Sequence, residues 1–94
     1  MELKVVAKAG TLESSDIQII VEPDNHGINI ELDSVVKAQF GEQIKTVIKE
    51  TLDSLGVKNA KIFANDKGAI DPVIISRVQT AVYRSAQSTD FKWM

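Results

Sequence analysis

Ile17, Ile19 and Val21 alternate with Gln18, Ile20 and Glu22. A few residues on, Ile28, Ile30 and Leu32 alternate with Asn29, Glu31 and Asp33. A period of two places each apolar set on one face of a strand. Pro23-Asp24-Asn25-His26-Gly27 between the two runs is a dense turn signal, so the pair reads as a β-hairpin. From Asp33 or Ser34 the period lengthens. Phe40, Ile44, Val47, Ile48, Thr51, Leu52 and Leu55 follow helical spacing and form one apolar stripe. Lys37, Glu42, Lys45, Lys49, Glu50 and Asp53 cover the rest of that helix. Asp33 or Ser34 is expected to cap its start, and Gly56 to end it in a left-handed conformation. Val57 through Asn65 reads as a third strand, with Ala60, Ile62 and Ala64 on one face. Asp66-Lys67-Gly68 turns the chain. Asp71-Pro72 opens a second helix, with Asp71 as cap and Pro72 at the first helical position, where its missing N–H is no loss. Ile74, Ile75, Val78, Ala81, Val82 and Ser85 supply the second apolar stripe.

The resulting order is β-β-α-β-α, with an extra strand only weakly indicated near residues 3–7. The expected class is α+β: a small two-layer domain whose sheet is covered on one face by two helices. Residues 1–15 have no period and include Gly10, so they read as a flexible or loosely docked arm. Residues 87–94 are polar with two aromatics and read as a frayed tail. One domain is expected over residues 1–94.

Composition narrows the function classes. The chain has 94 residues, 44% hydrophobic and 26% charged, which suits a soluble globule with a modest core. A formal net charge of -2 argues against nucleic acid, whose phosphates are bound through Lys and Arg. No apolar run approaches the length of a spanning helix, and residues 1–6 carry no signal-peptide pattern. A cytoplasmic protein without membrane contact is the expectation. The absence of cysteine removes disulfides, Cys-ligated zinc and thiol catalysis.

Self-sufficient enzyme chemistry is hard to find. His26 is the single histidine and sits in a turn, where a solvated role explains it better than that of a catalytic base. Glu13 and Asp16 are too sparse for a metal site, so neither a catalytic residue nor a metal ligand is assigned. The five glycines are scattered and form no phosphate loop. Arg77 and Arg84 lie seven apart on one helix face. They read as a solvated face or, with Lys67, as candidates for docking an acidic partner or phosphates. What remains is a binding or carrier module, which needs a reachable attachment side chain on a recognisable body. Asp53-Ser54-Leu55 matches the phosphopantetheine attachment tripeptide of ordinary acyl carrier proteins. Here, however, Ser54 closes a helix rather than opening one, and strands replace the expected helices.

The second candidate is Gly10-Thr11-Leu12-Glu13-Ser14-Ser15-Asp16. This stretch resembles the N-terminal motif of the citrate lyase acyl carrier proteins, the gamma chains of that enzyme. Val36-Lys37-Ala38-Gln39-Phe40-Gly41-Glu42-Gln43-Ile44 is similar to the family's helix opening. Asp66-Lys67-Gly68-Ala69-Ile70-Asp71 is similar to its turn into the last helix, and an Arg-bearing stretch follows to Tyr83-Arg84. The resemblance covers about residues 9–86, in order. It departs where the family commonly has Cys after the last Asp of the turn motif; this chain has Pro72.

The resemblance implies a non-catalytic carrier subunit. The first serine of the Glu-Ser-(Ser or Gly)-Asp motif, here Ser14, would carry a phosphoribosyl dephospho-CoA prosthetic group through a phosphodiester. Its thiol would hold acetyl and citryl thioesters between the transferase (alpha) and lyase (beta) chains. A prosthetic-group transferase and an acetate–citrate lyase ligase would be further partners. The residues themselves leave Ser14 and Ser15 open. Extending the strand pattern back from Ile17 puts Ser15 on the buried face and Ser14 on the open face with Asp16 and Gln18. Glu13 and Asp16 would keep the segment solvated. Two other readings stay open: the carrier of a related complex, malonate decarboxylase or citramalate lyase, and an unmodified scaffold subunit.

Overall fold

Four strands and two helices are laid out over residues 1–87, the part of the chain that the computed structural model describes. In chain order they are β1 (Ala7–Ala9), β2 (Ile17–Glu22), β3 (Ile28–Ser34), α1 (Lys37–Ser54), β4 (Ala60–Asp66) and α2 (Asp71–Ala86). The strands form one sheet in the order β1-β2-β4-β3. β2 is antiparallel to both β1 and β4, while β3 and β4 run parallel. The α+β class and the two helices over a small sheet agree with the sequence reading.

The expected hairpin does not form. β4 lies between β2 and β3, so the two alternating runs are not neighbours. A parallel pair needs a crossover rather than a tight turn, and α1 supplies it between β3 and β4. The turn signal at residues 23–27 is real, but it spans two strand spacings, roughly 9–10 Å, across the start of β4. Its crossing is pinned there: Gly27 N–H donates to Asn59 Oδ1 at 2.9 Å, and Ala60 N–H donates to the Gly27 carbonyl at 3.0 Å. Ala60, Ile62 and Ala64 give β4, which lies between β2 and β3, a small, buried apolar inner face.

The core lies between that face and the helices. Ile17, Ile19 and Val21 of β2 and Ile62 of β4 are completely buried, as are Ile48 and Leu52 of α1 and Val78 and Val82 of α2. Burying each such side chain is worth about 1.5–3 kcal/mol relative to water. The opposite sheet face stays open and carries Gln18, Glu31, Asp33, Phe63 and Asn65, with the Lys61 Nζ 5.1 Å above the Phe63 ring.

The helix ends refine the expectation. Neither helix has a side-chain cap on its first residues. Ser34 ends β3 instead, and its hydroxyl accepts from Val36 N–H at 3.1 Å. Asp71 is the first residue of α2 rather than its cap, which is Ile70. The turn ahead of α2 is tied by Asp66, whose carboxylate accepts from Gly68 N–H and Ala69 N–H at 3.1 and 2.9 Å. Gly56 does end α1. Its φ is +71°, its N–H donates to Asp53 O, and Val57 N–H reaches back to Leu52 O, both at 3.0 Å. Phe40, expected in the buried stripe, is 48% exposed.

The extra strand exists, shifted to Ala7–Ala9. The ground for reading residues 1–15 as an unanchored arm does not hold, since the anchors are ones that periodicity does not reveal. Ala9 is buried, and Leu3 packs against the core. Lys4 N–H and Val5 N–H both donate to the Ser85 carbonyl, while the buried Ser85 hydroxyl donates to the Val5 carbonyl. The expected tail at 87–94 lies outside the described residues, apart from Gln87, which closes α2 in a left-handed conformation.

Candidate functional site

Three strand ends and both helix starts meet at one pole of the domain: the beginning of β2, the ends of β3 and β4, and the first turns of α1 and α2. The loop at residues 10–16 crosses this pole between β1 and β2. Glu13-Ser14-Ser15-Asp16 is a tight turn, closed by Asp16 N–H donating to Glu13 O at 3.2 Å. Ser15 holds φ +65° at the third position, as a type II turn requires. Ser14 sits at the exposed apex, and no hydrogen bond among the described residues involves its hydroxyl.

The turn is mounted on its neighbours by backbone and carboxylate. Ser15 N–H donates to Lys67 O, and Lys67 N–H to Asp16 O, both at 2.9 Å, continuing the β2–β4 pairing past its last rung. The Asp16 side chain gathers the rest. Oδ2 accepts from Thr11 N–H at 3.0 Å, from the Thr11 hydroxyl at 2.6 Å and from Arg77 Nη2 at 3.1 Å. Oδ1 accepts from Ile17 N–H at 2.7 Å and from Arg77 Nε at 3.0 Å. Arg77 reaches down from α2 with its planar fork matched to both oxygens. The Arg77 hydrogen bond holds the Asp16 carboxyl well below the usual carboxylate range, with Thr11 and Ile17 N–H adding to it against an opposing effect of burial.

Sequence reasoning missed this pair. Asp16 is not on the open face with Gln18, and it does not keep the loop solvated; it is buried and turned toward α2. The positive φ of Ser15 breaks the strand alternation between Ser14 and Ile17, so extending the period backward fails: Ser15, expected on the buried face, is exposed like Ser14. The available signal was Arg77 itself, a cation between Ile74 and Val78 on the border of an apolar stripe. Arg84 stays exposed and donates to the Lys8 carbonyl at 2.8 Å, so the two arginines hold separate elements of the N-terminal segment. Lys67 contributes its backbone to the serine turn.

A second buried carboxylate stands beside the first. Asp66 is fully buried and accepts from the Ser34 hydroxyl at 2.8 Å as well as from its own turn. It fixes β3, β4 and the 66–70 turn to one another beneath the loop. That turn and the start of α1 enclose a shallow groove of about 440 Å³, lined by Val36, Phe40, Ile44, Ala69 and Ile70. Ser54 is at the other pole, an α1 length of roughly 27 Å away, and its hydroxyl donates to Thr51 O at 2.7 Å. His26 is solvated and lies beside Asp24. No cluster of three or more metal-ligating side chains occurs among the described residues, and none of their helices is long and apolar enough to cross a membrane.

Comparison with known proteins gives this pole its context. The profile of the malonate decarboxylase delta subunit (MdcD) family matches residues 4–85. A citrate lyase acyl carrier protein of Klebsiella pneumoniae is 50% identical over 94 residues, covering 99% of this chain and 97% of the relative. One of Fusobacterium nucleatum is 51% identical over 94 residues, covering 99% of this chain and all of the relative. The chain belongs to the citrate lyase acyl carrier protein family. Its fold is also found in a solved Pseudomonas malonate decarboxylase hetero-tetramer in complex with malonate, with a TM-score of 0.72 at 20% identity. That match covers 86% of this chain and 84% of the Pseudomonas one. Residues 10–16 lie across one pole of this two-layer domain, joined to β4 and α2 by hydrogen bonds.

Proposed function

We propose that this chain is the acyl carrier subunit of a citrate lyase and that Ser14 is the residue it is loaded on. Half-identity over the full length to citrate lyase acyl carrier proteins carries this reading. The geometry leaves both Ser14 and Ser15 exposed, and the resemblance of the motif chooses Ser14. The Ser14 hydroxyl is exposed at the apex of a turn, while its motif partners Gly10, Thr11 and Asp16 shape the turn's base. An oxygen in that position suits a phosphodiester to the proposed phosphoribosyl dephospho-CoA, since the bond's approach is open on the solvent side. The group supplies a terminal thiol for acyl thioesters, which a chain without cysteine cannot offer. The protein's part is to hold the hydroxyl out, keep the modified turn fixed to a rigid body, and present that body to the transferase (alpha) and lyase (beta) chains. It is a carrier in this reading and performs no chemistry on the acyl group. Arg84 and Lys67 remain docking candidates, being cationic and near the same segment.

The test is co-expression with the prosthetic-group transferase and its coenzyme A-derived donor, followed by intact mass and peptide mapping. Ser14→Ala should abolish the mass addition, while Ser15→Ala and Ser54→Ala should still be modified. Modification that survives in Ser14→Ala rejects the assignment. A second reading, the carrier of a malonate decarboxylase, is favoured by the family profile and the Pseudomonas fold. Reconstitution separates them: the loaded chain should restore citrate cleavage to the lyase chains and not malonate decarboxylation.

A further inference from the structure

We propose that Asp16 and Arg77 are positioning residues for the loading of Ser14: together they hold residues 10–16 as a fixed pedestal that selects which of two adjacent serines is offered. The proposal rests on the reading of Ser14 as the acceptor and adds how that acceptor is chosen.

Five donors converge on one carboxylate. They are Thr11 N–H, the Thr11 hydroxyl, Ile17 N–H and two nitrogens of Arg77, all between 2.6 and 3.1 Å. They come from the start of the loop, its end and a helix distant in sequence, so the carboxylate closes the loop and ties it to α2 at once. At the base, a Cβ added to Gly10 would lie 1.8 Å from the Ile17 carbonyl oxygen and 3.1 Å from Arg77 Cδ. The chain crosses itself there with no room to spare. Ser14 and Ser15 thus stand in distinct settings, although they are chemically equivalent. Ser15 has a left-handed backbone and an N–H committed to Lys67, while Ser14 occupies the second position of the turn.

A transferase has to bring a serine oxygen into line with a phosphorus atom, and a fixed turn presents one geometry where a loose heptapeptide presents many. If the competent arrangement is only a fraction of the population, apparent affinity falls by that fraction. Arg77 has a second effect. It offsets the Asp16 charge two residues from Ser14, leaving Glu13 as the acidic neighbour that an incoming phosphate meets.

The experiment compares wild type, Arg77→Gln, Arg77→Lys and Thr11→Val as substrates of the prosthetic-group transferase, with peptide mapping of each product. Arg77→Gln should lose about tenfold in kcat/KM and acquire modification at Ser15, with Arg77→Lys between it and wild type. Protection of the β2 amides against hydrogen exchange verifies that the body remains folded. The Ser14-to-Ser15 ratio is read only on variants whose β2 amides stay protected, so a change in it reports the loop and not loss of the fold. Arg77→Gln with β2 protected, modified at the wild-type rate and at Ser14 alone, overturns the proposal. Should Arg77→Gln unfold, Thr11→Val removes one donor to the same carboxylate and carries the same two outcomes. Wild-type modification mapping elsewhere than Ser14 is read before any variant. It overturns the reading beneath as well, whereas an unaffected variant overturns the pedestal alone.

Discussion

Ser15 and Gly10 sit in the same seven-residue loop with opposite tolerances. At φ +65° an L-residue is strained by about 1–2 kcal/mol, and glycine is not. Ser15→Gly should therefore be neutral to stabilising, by about 0.5–1 kcal/mol after the entropic cost of glycine, and should leave Ser14 loadable. Gly10 combines a φ of +87° with a carbonyl oxygen where its side chain would be. Gly10→Ala should cost about 2–4 kcal/mol and lower Tm by roughly 10 °C or more. Thermal denaturation of the two variants beside wild type checks both signs at once.

Between elements, the informative contact is the one from α2 to the loop. Asp16 titrates below the usual carboxylate range in the folded protein because Arg77 donates to it. A depressed folded pKa means the contribution is complete above the unfolded value, near pH 4, and is withdrawn as pH falls through the folded one. The Arg77 side chain is 38% exposed, so solvent screens the pair and its worth is about 1–2 kcal/mol, not that of a sealed ion pair. The stability difference between wild type and Asp16→Asn should be constant from about pH 8 to 5 and shrink below about pH 4. A difference that grows on acidification contradicts the pairing. Denaturant unfolding across that range measures it.

For the whole molecule, the sequence announces its elements more clearly than their neighbours. β2, β3, β4, α1 and α2 were legible because Ile17-Ile19-Val21 and Ile44-Ile48-Leu52 repeat with unambiguous periods. The order β1-β2-β4-β3 was not, because a turn signal at Pro23–Gly27 says that the chain reverses and not over how many strands it passes. β1 was hidden for a related reason: Ala7–Ala9 joins β2 through backbone groups, and the preceding Lys4 and Val5 bond the Ser85 carbonyl, neither of which leaves a pattern in side-chain polarity. At the candidate site the sequence offers Ser14 only as a candidate, and tertiary geometry supplies its surroundings. An Asp16–Arg77 pair separated by 61 residues is invisible to any local period.

The serine pole also has an antipode. Met1 lies there, its ammonium donating to the Gly56 carbonyl at 2.8 Å beside the last turn of α1. Any fusion partner, dye or bead joined to residue 1 projects away from the loop by nearly the full length of the domain. A surface coated through that end would display its serines outward, all facing the solution. Loading could then be followed on a chip, one immobilised layer at a time, with the tether well clear of the enzyme that does it.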